Sequence, residues 1–93
     1  MLEKAIELKL VKEIGKNKGL CLKLVCAGFF GMPDRMVLLP KGKLGFVEVK
    51  APGKKPRAMQ IVRHKQLRAL GFKVYVLDGE EQIERIIDEI RGA

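Results

Sequence analysis

Three residues carry chemistry together: an aspartate behind a proline in "MPD", Asp34, and the acid and base of "VEVK", Glu48 and Lys50. In an extended strand alternate side chains share a face, so Glu48 and Lys50 point one way while Val47 and Val49 point the other. One acid and one base on a strand of otherwise apolar residues are costly unless they have partners. A solvated edge-strand ion pair is the plain reading of the two alone. Asp34 changes that reading. If its strand and that of Glu48 form a hairpin across "PKGK", the two carboxylates meet, and each raises the other's pKa. A hard divalent cation, Mg²⁺ or Mn²⁺, removes the conflict, because oxygen ligands are what it prefers. Lys50 beside it can hold an attacking water or offset charge as a phosphodiester passes through a five-coordinate transition state.

The hairpin sets a condition. Partner numbers along an antiparallel ladder sum to a constant, and residues on one face require an even sum for Asp34 and Glu48. A four-residue loop over Pro40 to Lys43 gives an odd sum and separates them. An odd-length loop or a bulge is therefore expected.

The elements that must position these groups follow from periodicity. Leu2, Ile6, Leu10, Val11 and Ile14 recur at a helical spacing, and the helix ends in the stretch Gly15 to Gly19. Leu20 to Ala27, Arg35 to Leu39 and Leu44 to Ala51 read as strands, with "GFFGMPD" and "PKGK" as turns. The basic loop "PGKKP" precedes a helix from about Arg57 to Leu70, with Met59, Val62, Leu67 and Leu70 as buried candidates and Gly71 as its stop. "KVYVL" is a short strand. Asp78 and Glu81 form a capping box for a last helix whose buried stripe is Ile83, Ile86, Ile87 and Ile90. The expected architecture is one α/β domain over residues 1–93, αβββαβα, on a mixed sheet of about four strands.

Composition limits the function classes. With 93 residues, 19 Lys plus Arg and 11 Asp plus Glu, the net charge is +8, a field that favours a polyanion. No apolar run reaches the roughly 18–20 residues of a membrane span, and no signal peptide is visible, so a cytoplasmic, non-secreted protein is expected. Cys21 and Cys26 sit about 16 Å apart if the strand is continuous, on opposite faces, and are expected to remain thiols. With a single histidine, His64, this chain alone makes no Cys/His zinc cage. Gln60 and His64, four apart, share a helix face. The cluster Lys54, Lys55, Arg57, Arg63, Lys65 and Arg68 follows the acid-x-Lys strand and suits phosphate contacts, with His64 and Arg35 as further candidates to meet DNA. Arg35 is equally able to pair with an acid. Phe29 and Phe30 are expected in the core, with a wedge at a branch point as the alternative. Aromatics are only 5%, too few for base stacking along a single strand to be the main mode.

"GMPDRMVLLP", then "GFVEVKAPG", then "QIVRHKQLRALGFKVYVLD" resembles the PD-(D/E)XK nuclease core, and more narrowly the virus-type replication-repair (VRR-NUC) nuclease domain in a stand-alone viral or phage form, from Glu3 to Asp78. The resemblance implies a restriction-endonuclease-like αβββαβ core. It also implies metal-binding carboxylates at Asp34 and Glu48, the Val49 carbonyl as a further ligand, the active lysine at Lys50 and a helix glutamine at Gln60. A first-helix glutamate is implied too, Glu3, with Glu7 in reserve. Mg²⁺ with Mn²⁺ as substitute would be the cofactor, and branched DNA, above all the four-way Holliday junction, the substrate of a homodimeric endonuclease. A flap or exonuclease-type activity, or a DNA-binding module without catalysis, is the alternative.

Overall fold

The computed structural model describes residues 1–92 and has the expected element order: α1 (Glu3–Lys16), β1 (Leu20–Lys23), β2 (Arg35–Leu39), β3 (Lys43–Val49), α2 (Ala58–Ala69), β4 (Lys73–Leu77), a 3₁₀ turn (Glu80–Gln82) and α3 (Ile83–Arg91). The four strands form one sheet in the order β1-β2-β3-β4, with β1, β2 and β3 antiparallel and β4 parallel to β3. A parallel neighbour needs a crossover, and α2 supplies it. No helix among the described residues is long and apolar enough to cross a membrane.

The helices cover the sheet unequally. Ile6, Leu10 and Ile14 of α1 and the four isoleucines of α3 close over Val37, Leu39, Val47, Val49 and Leu77. The opposite face carries a much smaller cluster of Phe46, Leu67 and Val74, with Met32, Met36 and Leu44 at its margin and Phe72 edge-on to Phe46. Only His64 and Leu67 of α2 are buried. The expected burial of Met59, Val62 and Leu70 fails: all three are exposed, Leu70 at 74%. A helix with one sheet below it and nothing above buries one narrow stripe, whatever apolar residues lie elsewhere on it.

Three local expectations change. β1 stops at Lys23, so Cys26 lies beyond it; both thiols are free and half-buried. Burial pushes the Cys21 thiol up to about 11, which removes it as a nucleophile. Phe29 and Phe30 are exposed rather than core, Phe30 at 76%. The reciprocal pair before α3 is Asp78 with Gln82, not Glu81: the Asp78 amide donates to Gln82 Oε1 at 3.0 Å and Gln82 Nε2 to Asp78 Oδ1 at 2.7 Å. A 3₁₀ turn intervenes there, which brings the fourth residue on, not the third, back to Asp78.

Candidate active site

The hairpin satisfies its parity condition. Leu39 pairs with Lys43, leaving the three-residue loop Pro40–Gly42, and the partner numbers from Arg35↔Val47 to Leu39↔Lys43 all sum to 82. Lys41 and Gly42 both take positive φ, 69° and 72°, which lets so short a loop reverse the chain. Continued by one residue, the ladder sets Asp34 opposite Glu48. Both therefore face α2, on the side of Met36 and Phe46.

The C-terminal end of β3 is where the groups meet. Asp34 Oδ2 accepts a hydrogen bond from the Val49 amide at 2.8 Å, and the Asp34 carbonyl accepts one from Leu24, so this residue is tied to strands on either side. Extended backbone continues to Lys50, whose amide donates to Leu77 of β4. Glu48 is 1% exposed. Its Oε2 accepts from Gln60 Nε2 at 2.8 Å and lies 3.4 Å from Lys50 Nζ, while Oε1 is 3.7 Å from His64 Nε2. Gln60 is held in turn by the first turn of α2, its Oε1 accepting from the Arg57 amide at 2.8 Å. Burial, and after it the neighbouring Asp34 carboxylate, pushes the Glu48 carboxyl up to about 7, with Lys50 acting against both. His64 is pushed below its ordinary value by burial, then by the Arg68 and Lys50 charges, with Asp34 acting against them.

Asp34, Glu48, Lys50 and Gln60 thus come together. The first-helix acids do not: Glu3 is exposed and makes none of the site's contacts, while Glu7 pairs with Arg35 at 2.7 Å. Arg35 is correspondingly paired with an acid, the second of its two expected roles. It follows Asp34 by one residue and so lies on the other sheet face, where it also donates to the Cys21 carbonyl. His64 is 2% exposed and lies beside Glu48 rather than at the surface. Arg63 is committed within the protein: Nε donates to the Phe30 carbonyl at 2.7 Å, Nη1 to Gln66, and the guanidinium lies 3.7 Å over the Phe29 ring. Arg68 donates to the Val74 carbonyl. Of the basic cluster, Lys54, Lys55, Arg57 and Lys65 remain exposed and unpaired with any acid among the described residues.

One structural role has no signal in the sequence. Arg63 fastens the loop before Asp34 to α2, and Gly31 makes the approach possible: its φ is +91°, and a Cβ there would stand 2.6 Å from the Met59 carbonyl oxygen. Gly31→Ala is expected to cost about 1–3 kcal/mol, read as a lower urea midpoint at unchanged slope.

The donor chemistry suits a divalent cation. Two carboxylates converge, one keeps a buried oxygen without a partner, and their mutual repulsion is relieved by positive charge. No three His, Cys, Asp or Glu side chains among the described residues gather into a fuller cage. That is a Mg²⁺-like donor set, since Mg²⁺ is commonly held by one or two carboxylates and completes its shell with water and phosphate oxygens.

Comparison with known proteins agrees with this geometry. "Putative nuclease p44" of Acyrthosiphon pisum secondary endosymbiont phage 1 is 49% identical over 79 residues, 85% of this chain and 85% of its own length. A solved structure described as a VRR_NUC domain superposes with a TM-score of 0.87 at 32% identity, covering 92% of this chain and 94% of that one. No family model matches the sequence.

Proposed function

Because the chain belongs to the VRR-NUC nuclease family, we propose that it is a divalent-cation-dependent endonuclease that hydrolyses phosphodiester bonds in branched DNA, acting on four-way junctions as a homodimer. The observation that carries the reading is the convergence of Asp34, Glu48 and Lys50, with Gln60 bracing Glu48, at the end of β3. Asp34, Glu48 and the Val49 carbonyl would hold Mg²⁺ or Mn²⁺, which when bound supplies Lewis-acid polarisation and charge compensation at the phosphodiester. Lys50 is 14% exposed, enough to meet a phosphate at the mouth of the site. Its ammonium orients the attacking water and neutralises charge that builds on the phosphoryl oxygens as the new O–P bond forms and the ester P–O bond breaks. Gln60 fixes the Glu48 rotamer, so the carboxylates need no rearrangement when a cation arrives.

The exposed charges of Lys54, Lys55 and Arg57 leave the site directly after Lys50, and Lys65 lies further along α2, so duplex phosphates beside the scissile bond have cations to meet. Support for a dimer comes from β1. It is an edge strand, its α2-side residues Leu20 and Leu22 are exposed, and Val25, Phe29 and Phe30 add exposed apolar surface in the segment that follows. One chain carries one such site, so two symmetric cuts require two chains.

The test is a panel of junction, flap, splayed-arm, duplex and single-stranded DNA with Mg²⁺ or Mn²⁺, alongside light scattering of the free protein. Paired cuts in the junction by a protein of twice the chain mass are expected. Cleavage confined to DNA ends or flaps would replace junction resolution with a flap or exonuclease activity. Binding without cleavage, unaffected by Asp34→Ala, would reduce the protein to a DNA-binding module.

A further inference from the structure

Two buried polar atoms of the site have no hydrogen-bond partner among the described residues, and they face one another: Glu48 Oε1 and His64 Nε2, 3.7 Å apart. The large majority of buried side-chain polar atoms in folded proteins are satisfied, so a facing pair of orphans calls for an explanation. The gap is too short to admit a bridging water and slightly too long for a direct bond, which needs about 2.7–3.2 Å. A small turn of either side chain closes it.

We propose that His64 is a positioning residue for Glu48, donating from Nε2–H to Oε1 when a cation is seated on the carboxylates. Gln60 already donates to Oε2 from one position a helical turn earlier. The two α2 side chains then hold Glu48 by both oxygens, and its remaining lone pairs stay free toward Asp34. The role places the imidazole proton on Nε2, the ring nitrogen that faces Glu48 Oε1. His64 is assigned to Glu48 rather than to the cation, because its Nε2 faces Oε1 inside the buried pair. Nor does it touch substrate, being 2% exposed. Packing alone leaves the orphan atoms unexplained, since an aliphatic residue fills the same space without them.

The inference rests on the reading of Asp34 and Glu48 as a cation site, and the experiment separates the two. Mn²⁺ is titrated calorimetrically into the intact protein without DNA, for the wild type, Asp34→Ala, His64→Leu and His64→Gln, with metal-free melting temperatures recorded. The wild type is expected to bind and Asp34→Ala to fail. His64→Leu is expected to bind about 10–100-fold more weakly while melting no lower than the wild type without metal, because it removes a buried unpartnered donor. His64→Gln, which keeps an N–H at similar reach, is expected to recover most of the affinity. His64→Leu binding Mn²⁺ within threefold of the wild type overturns the proposal, as does a His64→Gln protein that folds but binds no better than His64→Leu. A wild type that binds no Mn²⁺ overturns the cation reading, and this inference with it.

Discussion

Glu48→Gln is expected to make the metal-free protein more stable at pH 8 and to abolish cleavage. In the folded chain the Glu48 carboxyl sits at about 7 against an ordinary 4.5, from burial first and Asp34 second. Between those two values the folded state holds a proton that the unfolded state has released. Stability therefore falls as pH rises through that window and stays low above it. The displacement corresponds to at most about 3 kcal/mol. Glutamine is isosteric and uncharged, so the variant is expected to gain about 1–3 kcal/mol over the wild type at pH 8 and little near pH 4.5. His64 works in the opposite direction: its lowered value removes stability as pH falls below its unfolded-state value of about 6.5. His64 faces Glu48 Oε1, so its titration responds to the substitution, and Glu48 is read at pH 8, above the ordinary histidine value, where the imidazole is uncharged in both proteins. Urea melts of both proteins from pH 4.5 to 8 measure it, and a difference that does not change with pH would refute an ionised, crowded Glu48. The same substitution removes a charged ligand and is expected to lower single-turnover cleavage about 10³-fold or more. Opposite signs for stability and activity mark a residue retained for chemistry at the expense of the fold.

Lys50→Ala should separate chemistry from binding in a different way. The ammonium lies 3.4 Å from Glu48 Oε2 and is assigned charge that develops only in the transition state. Single-turnover cleavage at saturating DNA is expected to fall about 10²–10³-fold. Junction affinity should change at most a few-fold, because Lys54, Lys55, Arg57 and Lys65 remain. Mn²⁺ affinity should hold or rise, since a cation competing for the same carboxylates has gone. Cleavage within about threefold of the wild type would leave Lys50 no catalytic role. A parallel loss of Mn²⁺ affinity would instead show that it maintains the geometry of Glu48.

Much of the site was legible because it rests on short-range rules. Strand alternation put Glu48 and Lys50 on one side of β3 and the two valines on the other, and no distant contact was needed to say so. Ladder parity then calls for an odd-length loop or a bulge if Asp34 and Glu48 share a face, and the three-residue loop Pro40–Gly42 is the first of these. The i,i+4 spacing placed Gln60 and His64 on one face of α2, and both reach Glu48.

Other features depend on contacts distant in sequence. Arg35 adjoins Asp34 in sequence, yet adjacency in a strand means opposite faces, and Glu7 pairs with it on the other side. Arg63 looked like one more free cation, but a loop thirty-three residues away supplies its carbonyl and its aromatic ring. Met59, Val62 and Leu70 are apolar residues in the α2 segment, yet all three are exposed. Periodicity reports which residues lie together on a helix, not whether another element covers them.

The sequence by itself determined the order of elements, the side of β3 that bears the acid and the base and the parity a shared site demands of the hairpin, and its motifs "GMPDRMVLLP", "GFVEVKAPG" and "QIVRHKQLRALGFKVYVLD" resemble those of the nuclease family to which the comparisons assign the chain. Tertiary structure alone decided that α1 with Glu3 and Glu7 lies across the sheet from the carboxylates, that α2 seals Glu48 from water and so raises its pKa, and that His64 is sealed in with it. Alternation and turn chemistry depend on neighbours a few residues apart. Burial and pKa depend on what packs against a group, and at Glu48 those partners come from the loop before β2 and from two turns of α2.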